Sequence, residues 1–591
     1  MGRLVLEATA RDGHARILQW SPSDGQTVST PTLIVPETDQ SPLPEWAQVV
    51  LTTQPTGRSA VELVSDGTWF HPLGAEGNLV VRAPQPTATH QVQVLDVGGE
   101  VAVFHDAGGW ASDPKRLVPA FIDAKVQATP GKAFWAPALG TPADYAIWAW
   151  LGVDLFDASP LLLAAARGEA LTVDGPRSLA EMEAMHGGTW DVDRLMAHNL
   201  EAARAELVTV QHAIRTGSLS NLAERRAYAS PDAVALLRRF DREHAYVASA
   251  APVQRSEPVP CMTPEALWMP TVERFRRRFQ DAYTPPAPAD TLVLLPCSAR
   301  KPYRISQSHR YFGRALDDSG MRHRVHEVMV TSPLGLVPRD LEDSYPANKY
   351  DVPVTGHWSR DEEEVIRRQL AALLEAHEYK HVIAHVPAST FTFLRDLLPE
   401  DTLHTVMTHR PQGMEDCNRL RDALIELKKR DPQPSDPSMW QQRKLADVQA
   451  TASYQFGPDA AAALVDGCKA HGRVPHVKLV KDGTQIGTTT MDRGLLSLTL
   501  DGADIVAAHG VKRVFIEDFW PRKTGSLFAV GVTHADADVL EGDDVVVVRQ
   551  GRDGVEVRAC GVAQMSGAEM AAMKRGVAVT LRHVRKQEEA S

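Results

Sequence analysis

Three proline-rich stretches cut this chain of 591 residues into pieces: Ala251 to Pro260, Thr284-Pro-Pro-Ala-Pro-Ala-Asp290 and Asp431-Pro-Gln-Pro-Ser-Asp-Pro437. Proline locks φ and removes a hydrogen-bond donor, so neither a helix nor a central strand runs through such a stretch. At roughly 100–200 residues per domain the length suits about three to five units. The breaks and the changes of pattern predict four, at 1–250, 285–430, 438–510 and 511–586.

Between the second and third breaks, apolar runs at Leu292 to Leu295, Val325 to Val330 and His381 to Val386 alternate with helical patterns. That order predicts a parallel sheet covered by helices. The best helix spans 360–379, where Ser359 and Glu362 form a capping box. Asp361 to Glu364 suit the positive end of its dipole, and Val365, Ile366, Leu370, Leu373 and Leu374 make one apolar face. Residues 438–510 predict a small α+β piece, with a helical run over 459–470 and strands over 475–479 and 495–500. The tail carries short β-branched runs, 528–532, 544–549, 555–558 and 577–581, separated by glycines. Strands of that length predict a small curled barrel.

The chemistry concentrates in Leu295-Pro-Cys-Ser-Ala-Arg-Lys-Pro-Tyr-Arg-Ile-Ser-Gln-Ser-His309, a loop after the first apolar run. A nucleophile at the carboxyl end of a buried strand, facing a helix amino terminus, is where an open α/β sheet places its reactive groups. From 291 to 316 there is no Asp or Glu, whereas Arg300, Lys301, Arg304, Arg310 and Arg314 are basic. Such a setting predicts a lowered pKa for Cys297 and an attraction for phosphate. Ser306 and Ser308 suit either a helix cap or substrate contact, and Ser298 in the turn is a candidate for substrate contact. His309 in a first helical turn is predicted to be a neutral base, and Tyr303 a stacking surface for a base.

The balance of 63 basic against 75 acidic residues, −12 in all, makes any nucleic-acid surface local. Five cysteines lie far apart with no Cys-x-x-Cys pair, so neither a disulfide framework nor a thiolate zinc cage is expected, and the chain reads as reduced and cytoplasmic. The start lacks a signal-peptide pattern, and no apolar run reaches the about 20 residues a bilayer demands. The 22 histidines are scattered, and no metal or cofactor is predicted.

Three resemblances follow from particular residues. Gly525-Ser-Leu-Phe-Ala-Val-Gly-Val-Thr-His, Ala537-Asp-Val-Leu-Glu-Gly-Asp-Asp and Lys574-Arg-Gly-Val-Ala-Val resemble the PUA domain, an RNA-binding module. That resemblance makes Arg522, Lys523, Lys574 and Arg575 candidates for phosphate contact. Phe104-His-Asp-Ala-Gly-Gly-Trp110 and Gly152-Val-Asp-Leu-Phe-Asp157 resemble segments of the tRNA-guanine transglycosylase barrel in a reduced form, which implies base-binding or nucleophilic roles for Asp106 and Asp157. The barrel family's Cys-x-Cys-x-x-Cys zinc motif is absent.

The central loop, with Thr331-Ser-Pro-Leu-Gly-Leu-Val-Pro-Arg-Asp340 and Tyr345 to His357, resembles the archaeosine synthase family. The resemblance implies a tRNA substrate carrying 7-cyano-7-deazaguanine in its D-arm, and conversion of the nitrile to an amidine by glutamine, ammonia or lysine. A nitrile accepts a thiolate to give a thioimidate that an amine displaces, which suits Cys297 as nucleophile. His309 or His357 would handle protons and Lys301 would stabilise charge on nitrogen. Asp340, Glu342, Asp343 and Asp351 are candidates for an ammonium, and Arg339 for an α-carboxylate. Direct addition of the amine, base exchange through Asp157, and a non-catalytic tRNA-binding subunit are the rival readings. A homodimer and a downstream product-processing enzyme are left open. The fold expected is multidomain α/β: a reduced TIM-barrel-like region, a central α/β sheet domain, a small α+β domain and a PUA β-barrel.

Overall fold

The computed structural model describes residues 5–21, 27–36, 43–52, 61–64, 94–97, 101–104, 107–353, 356–433, 436, 438–522, 525–551 and 554–587. The chain forms two compact units. One holds 1–252 with 528–533 and 565–578; the other holds 253–527 with 534–564 and 579–591. Among the described residues no helix is long and apolar enough to cross a membrane.

In the first unit a three-stranded antiparallel sheet, Val5–Asp12, Ala15–Ser21 and Val28–Ser29, accompanies a seven-stranded one. The larger sheet runs Val61–Val64, Val49–Thr52, Thr32–Pro36, Leu155–Asp157, Ala133–Trp135, Val101–Phe104, Val94–Val97. Its neighbours are parallel except the last pair. Among the described residues its two edge strands do not pair with each other, so the sheet is open there. Phe121, Phe134, Trp148 and Phe240 meet edge-on or tilted in the core beneath it. Gly108 has a steric cause, since a Cβ there would fall 2.7 Å from that of Ala138.

The second unit carries the sheet that positions the chemistry. Its order is Gly335–Pro338, Val325–Thr331, Thr291–Pro296, His381–Ala384, Leu403–His404. Thr291–Pro296 is central and parallel to both neighbours; Gly335–Pro338 returns antiparallel to Val325–Thr331. Such a strand is buried on both faces, which is why Leu292 to Leu295 are apolar without alternation. The helix Arg360–Ala376 starts at the expected box, with both Ser359 and Glu362 bonds made, and buries Val365, Ile366, Leu370 and Leu373. It stops three residues short of the expected end.

The small α+β piece departs further from expectation. Its helix is Pro458–Val465, because Gly467 adopts φ +66° and Lys469–Arg473 is already a strand. Leu500 opens a helix, Leu500–Ala508, rather than closing a strand. The helix Met439–Phe456 has no clean periodicity because it is buried on several sides. The tail forms a six-stranded sheet, order Ser526–Phe528, Val577–Val584, Val555–Ala563, Asp544–Gln550, Arg513–Ile516, Val532–Ala535. Bulges at Val547/Val548 and Cys560/Gly561 curl it. A Cβ on Gly561 would fall 2.2 Å from the Thr580 carbonyl oxygen.

Candidate active site

Cys297 follows the carboxyl end of the central strand Thr291–Pro296 and lines a cavity of about 720 Å³. Ser298, Ser308 and His357 line the same cavity. The helix Gln307–Ser319 begins beside it, capped by Ser306, whose Oγ accepts from the His309 amide at 3.3 Å. Ser306 Oγ also lies 3.2 Å from Ser308 Oγ, and Ser298 Oγ donates to the Arg300 carbonyl at 3.0 Å.

The thiol is not activated in the way the basic run suggests. Burial raises the pKa of Cys297, outweighing a hydrogen bond with Thr331 and the charge of Lys301 that pull it down. The same burial lowers the pKa of Lys301, opposed by Cys297 and Asp351. Thiol and amine are therefore both pushed toward their neutral forms. The basic run is also less basic in space than in sequence, since Arg304 donates to Glu342 at 3.3 Å and to Asp343 at 2.5 Å. Arg300 and Arg310 are exposed.

Behind the thiol stands a buried chain of hydroxyls. Thr331 is hydrogen-bonded to Tyr350, and Tyr350 to Tyr303. Lys301 Nζ sits 4.0 Å from the Tyr350 ring centroid. Tyr303 is 0 % exposed and so offers no face for stacking a base; its aromatic surface is used in the core. Asp351 is exposed, on the two-residue strand Tyr350–Asp351 that leads to the cavity lining at Val352.

His309 is neutral, as its place in the helix suggests, but for a different reason. It is 3 % exposed, and burial with the adjacent Arg339 charge lowers its pKa to about 3. Nε2 donates to the Pro296 carbonyl at 3.0 Å and Nδ1 accepts from Arg339 at 3.0 Å, so neither nitrogen is open for proton transfer. Arg339 also pairs with Glu327 at 2.7 Å and Glu342 at 2.8 Å. Arg339 and Asp340 line a second cavity, of about 950 Å³, whose lining does not include the thiol. The expected donor-binding residues are thus separated from Cys297, with the exception of Asp351.

In the first unit Asp157 ends the strand Leu155–Asp157 and is 2 % exposed. Its carboxylate accepts from the amides of Ala138 at 2.7 Å and Ser159 at 2.9 Å, and from Trp135 Nε1 at 3.3 Å. Burial raises its pKa against those bonds. Asp106 and Lys523 lie outside the described residues. Arg522, Lys574 and Arg575 are exposed.

Several cavity residues had no sequence signal. Cys261, Trp358, His409 and Gln412 line the thiol cavity from segments remote from the central loop. Trp358 donates from Nε1 to Thr390 Oγ1 at 3.2 Å, and only its adjacency to His357 could have flagged it. Thr331 and Tyr350 lay within segments already singled out, but their contact with the thiol environment is tertiary.

Residues 272–424 match a domain of unknown function, DUF5591; residues 446–509 match the patch-forming domain C2 of tRNA-guanine transglycosylase; residues 512–585 match the PUA domain. The chain is 34% identical over 540 residues to archaeosine synthase subunit alpha of Methanosarcina acetivorans, covering 87% of this chain and 84% of the relative. It is 32% identical over 612 residues to archaeosine synthase of Haloferax volcanii, covering 98% and 99%. Similarity to the tRNA-guanine(15) transglycosylase of Methanothermobacter thermautotrophicus is weaker, 25% identity over 500 residues, covering 79% of this chain and 68% of that one. The alignment with the second relative is near end-to-end and that with the first covers most of both chains, and on that ground the chain belongs to the archaeosine synthase family.

Proposed function

We propose that the protein modifies tRNA by adding a nitrogen donor to the nitrile of 7-cyano-7-deazaguanine, forming an amidine. The observation that carries this reading is Cys297 at the mouth of the central strand, facing a cavity with Lys301 beside it. Lys301, its pKa lowered by burial, takes the thiol proton as Sγ bonds to the nitrile carbon, and returns a proton to the nitrile nitrogen to give a thioimidate. The donor amine then adds to the same carbon, the C–S bond breaks, and the thiolate recovers a proton as the amidine leaves. Thr331 supports the thiolate through its hydroxyl. His357, exposed at the cavity, serves proton exchange with solvent in place of His309.

The raised thiol pKa favours a second route, in which the amine adds directly to a nitrile polarised by Lys301 and Cys297 lines the pocket. Free lysine, glutamine or ammonia is the donor class. The open seven-stranded sheet of the first unit is read as the unclosed remnant of a transglycosylase barrel, and the exposed Arg522, Lys574 and Arg575 as phosphate contacts. Mass spectrometry of nitrile-bearing tRNA incubated with pure protein and each amine tests the reaction. An unchanged nitrile with every donor refutes it; full turnover by Cys297→Ser selects the direct route.

A further inference from the structure

The second cavity of the larger unit has its own electrostatic logic. It lies among the turn Arg339–Leu341, the helix Met439–Phe456 and residues 473–477 and 489–494. Basic and acidic side chains line it in equal number, and most of the acids are paired with the arginines, but two carboxylate oxygens are left over. Arg304, Arg322, Arg339 and Arg443 each bond a carboxylate at 3.3 Å or less. Asp340 Oδ2 and Asp343 Oδ1, by contrast, are buried with no hydrogen-bond partner. The Asp340 side chain is only 3% exposed. Its Oδ1 accepts from Tyr283 at 3.2 Å, and Asp447 adds a like charge nearby.

A buried carboxylate oxygen without a donor is unfavourable in an unliganded site and calls for a cationic partner. Among the described residues no cluster has the ligands for a metal ion. An ammonium group supplies up to three donors and suits orphaned carboxylate oxygens. Half-exposed Trp440 lines the same cavity and offers a face to an alkyl chain or a cation. We propose that this cavity is a binding site for a small primary aliphatic amine, its ammonium held by Asp340 and Asp343.

The site is joined to the thiol loop at two places: Arg304 of the loop donates to Glu342 and Asp343, and Arg339 donates to His309 Nδ1 while His309 Nε2 donates to the carbonyl of Pro296, the residue before Cys297. An amine seated here would bear on the position of the thiol without touching it. The proposal goes beyond the nitrile reaction, and either one stands if the other fails.

Calorimetry on the full chain at mildly alkaline pH, where Asp340 is ionised, tests it with three probes: 1,4-diaminobutane, 6-aminohexanoate and hexanoate. The two ammonium-bearing probes are expected to saturate and hexanoate to show no binding. Asp340→Asn should weaken the amines roughly tenfold or more, the worth of one charge-assisted hydrogen bond, while Cys297→Ser leaves them unchanged. With a folded pKa of about 7 against an ordinary 3.8, Asp340 ionises more readily in the unfolded chain, so the Asn variant should melt higher than the parent. Val474→Arg, at an exposed residue lining the cavity, should also weaken both amines and gives a second test that leaves the buried network untouched. Absence of saturation by either amine, equal binding of hexanoate, or amine binding unaltered in both Asp340→Asn and Val474→Arg overturns the proposal.

Discussion

Two candidate nucleophiles stand at the ends of buried parallel strands, Cys297 in the larger unit and Asp157 in the other, and their surroundings are opposite. Asp157 is held by two amides and an indole, so its lone pairs are spent on the turn that it organises. Cys297 has one weak partner in Thr331 and a cavity in front of it. The contrast shows that strand-end position alone does not make a nucleophile. Access and an unsatisfied lone pair favour one, and of these two candidates the thiol has both.

The sharpest way to break this comparison is to remove each group in turn. Cys297→Ser should lower amidine formation by about 10³-fold or more, read by mass spectrometry of the tRNA; if the serine variant keeps parental turnover, the contrast loses its chemical meaning. Lys301→Met should cost about 10²–10⁴-fold in turnover, the usual worth of a positioned acid–base group, with tRNA binding preserved in a filter assay. Turnover on the covalent route should rise with pH through the neutral range, because the raised thiol pKa keeps the thiolate a minor form and Lys301 must be neutral to take the thiol proton. His309, neutral down to about 3, should leave no inflection in that profile.

Smaller effects sharpen the picture. Thr331→Val should slow turnover about tenfold by removing one hydrogen bond to the thiolate and shift the pH profile to the alkaline side, a displacement that packing loss alone would not cause. Asp157→Asn should leave turnover within about threefold while destabilising the first unit by about 1–3 kcal/mol, since an amide nitrogen would face backbone donors. Thermal melting beside a turnover assay separates the two readouts, and a large turnover loss there would revive a chemical role for the carboxylate.

Much of the fold was legible in the chain. The central strand, the capping box at Ser359 and the curled tail come from local rules, period and cap chemistry, which act over a few residues. The boundary at Gly467 was missed because alanines at 460–463 continue a helical pattern into a glycine that reverses the backbone. Electrostatics were misread for a related reason. No acid lies near Arg304 in sequence, yet Glu342 and Asp343 lie against it in space.

The chain by itself determined which residues are candidates for the chemistry: a cysteine after an apolar strand, a lysine and a histidine in the same loop, carboxylates beyond the next strand. Their protonation and access were decided only by tertiary structure. Burial pushes thiol and amine alike toward their neutral forms, Arg339 and Pro296 occupy both nitrogens of His309, and Arg339 and Asp340 go to a cavity of their own. Desolvation and hydrogen-bond competition depend on neighbours remote in sequence, and no local pattern encodes them.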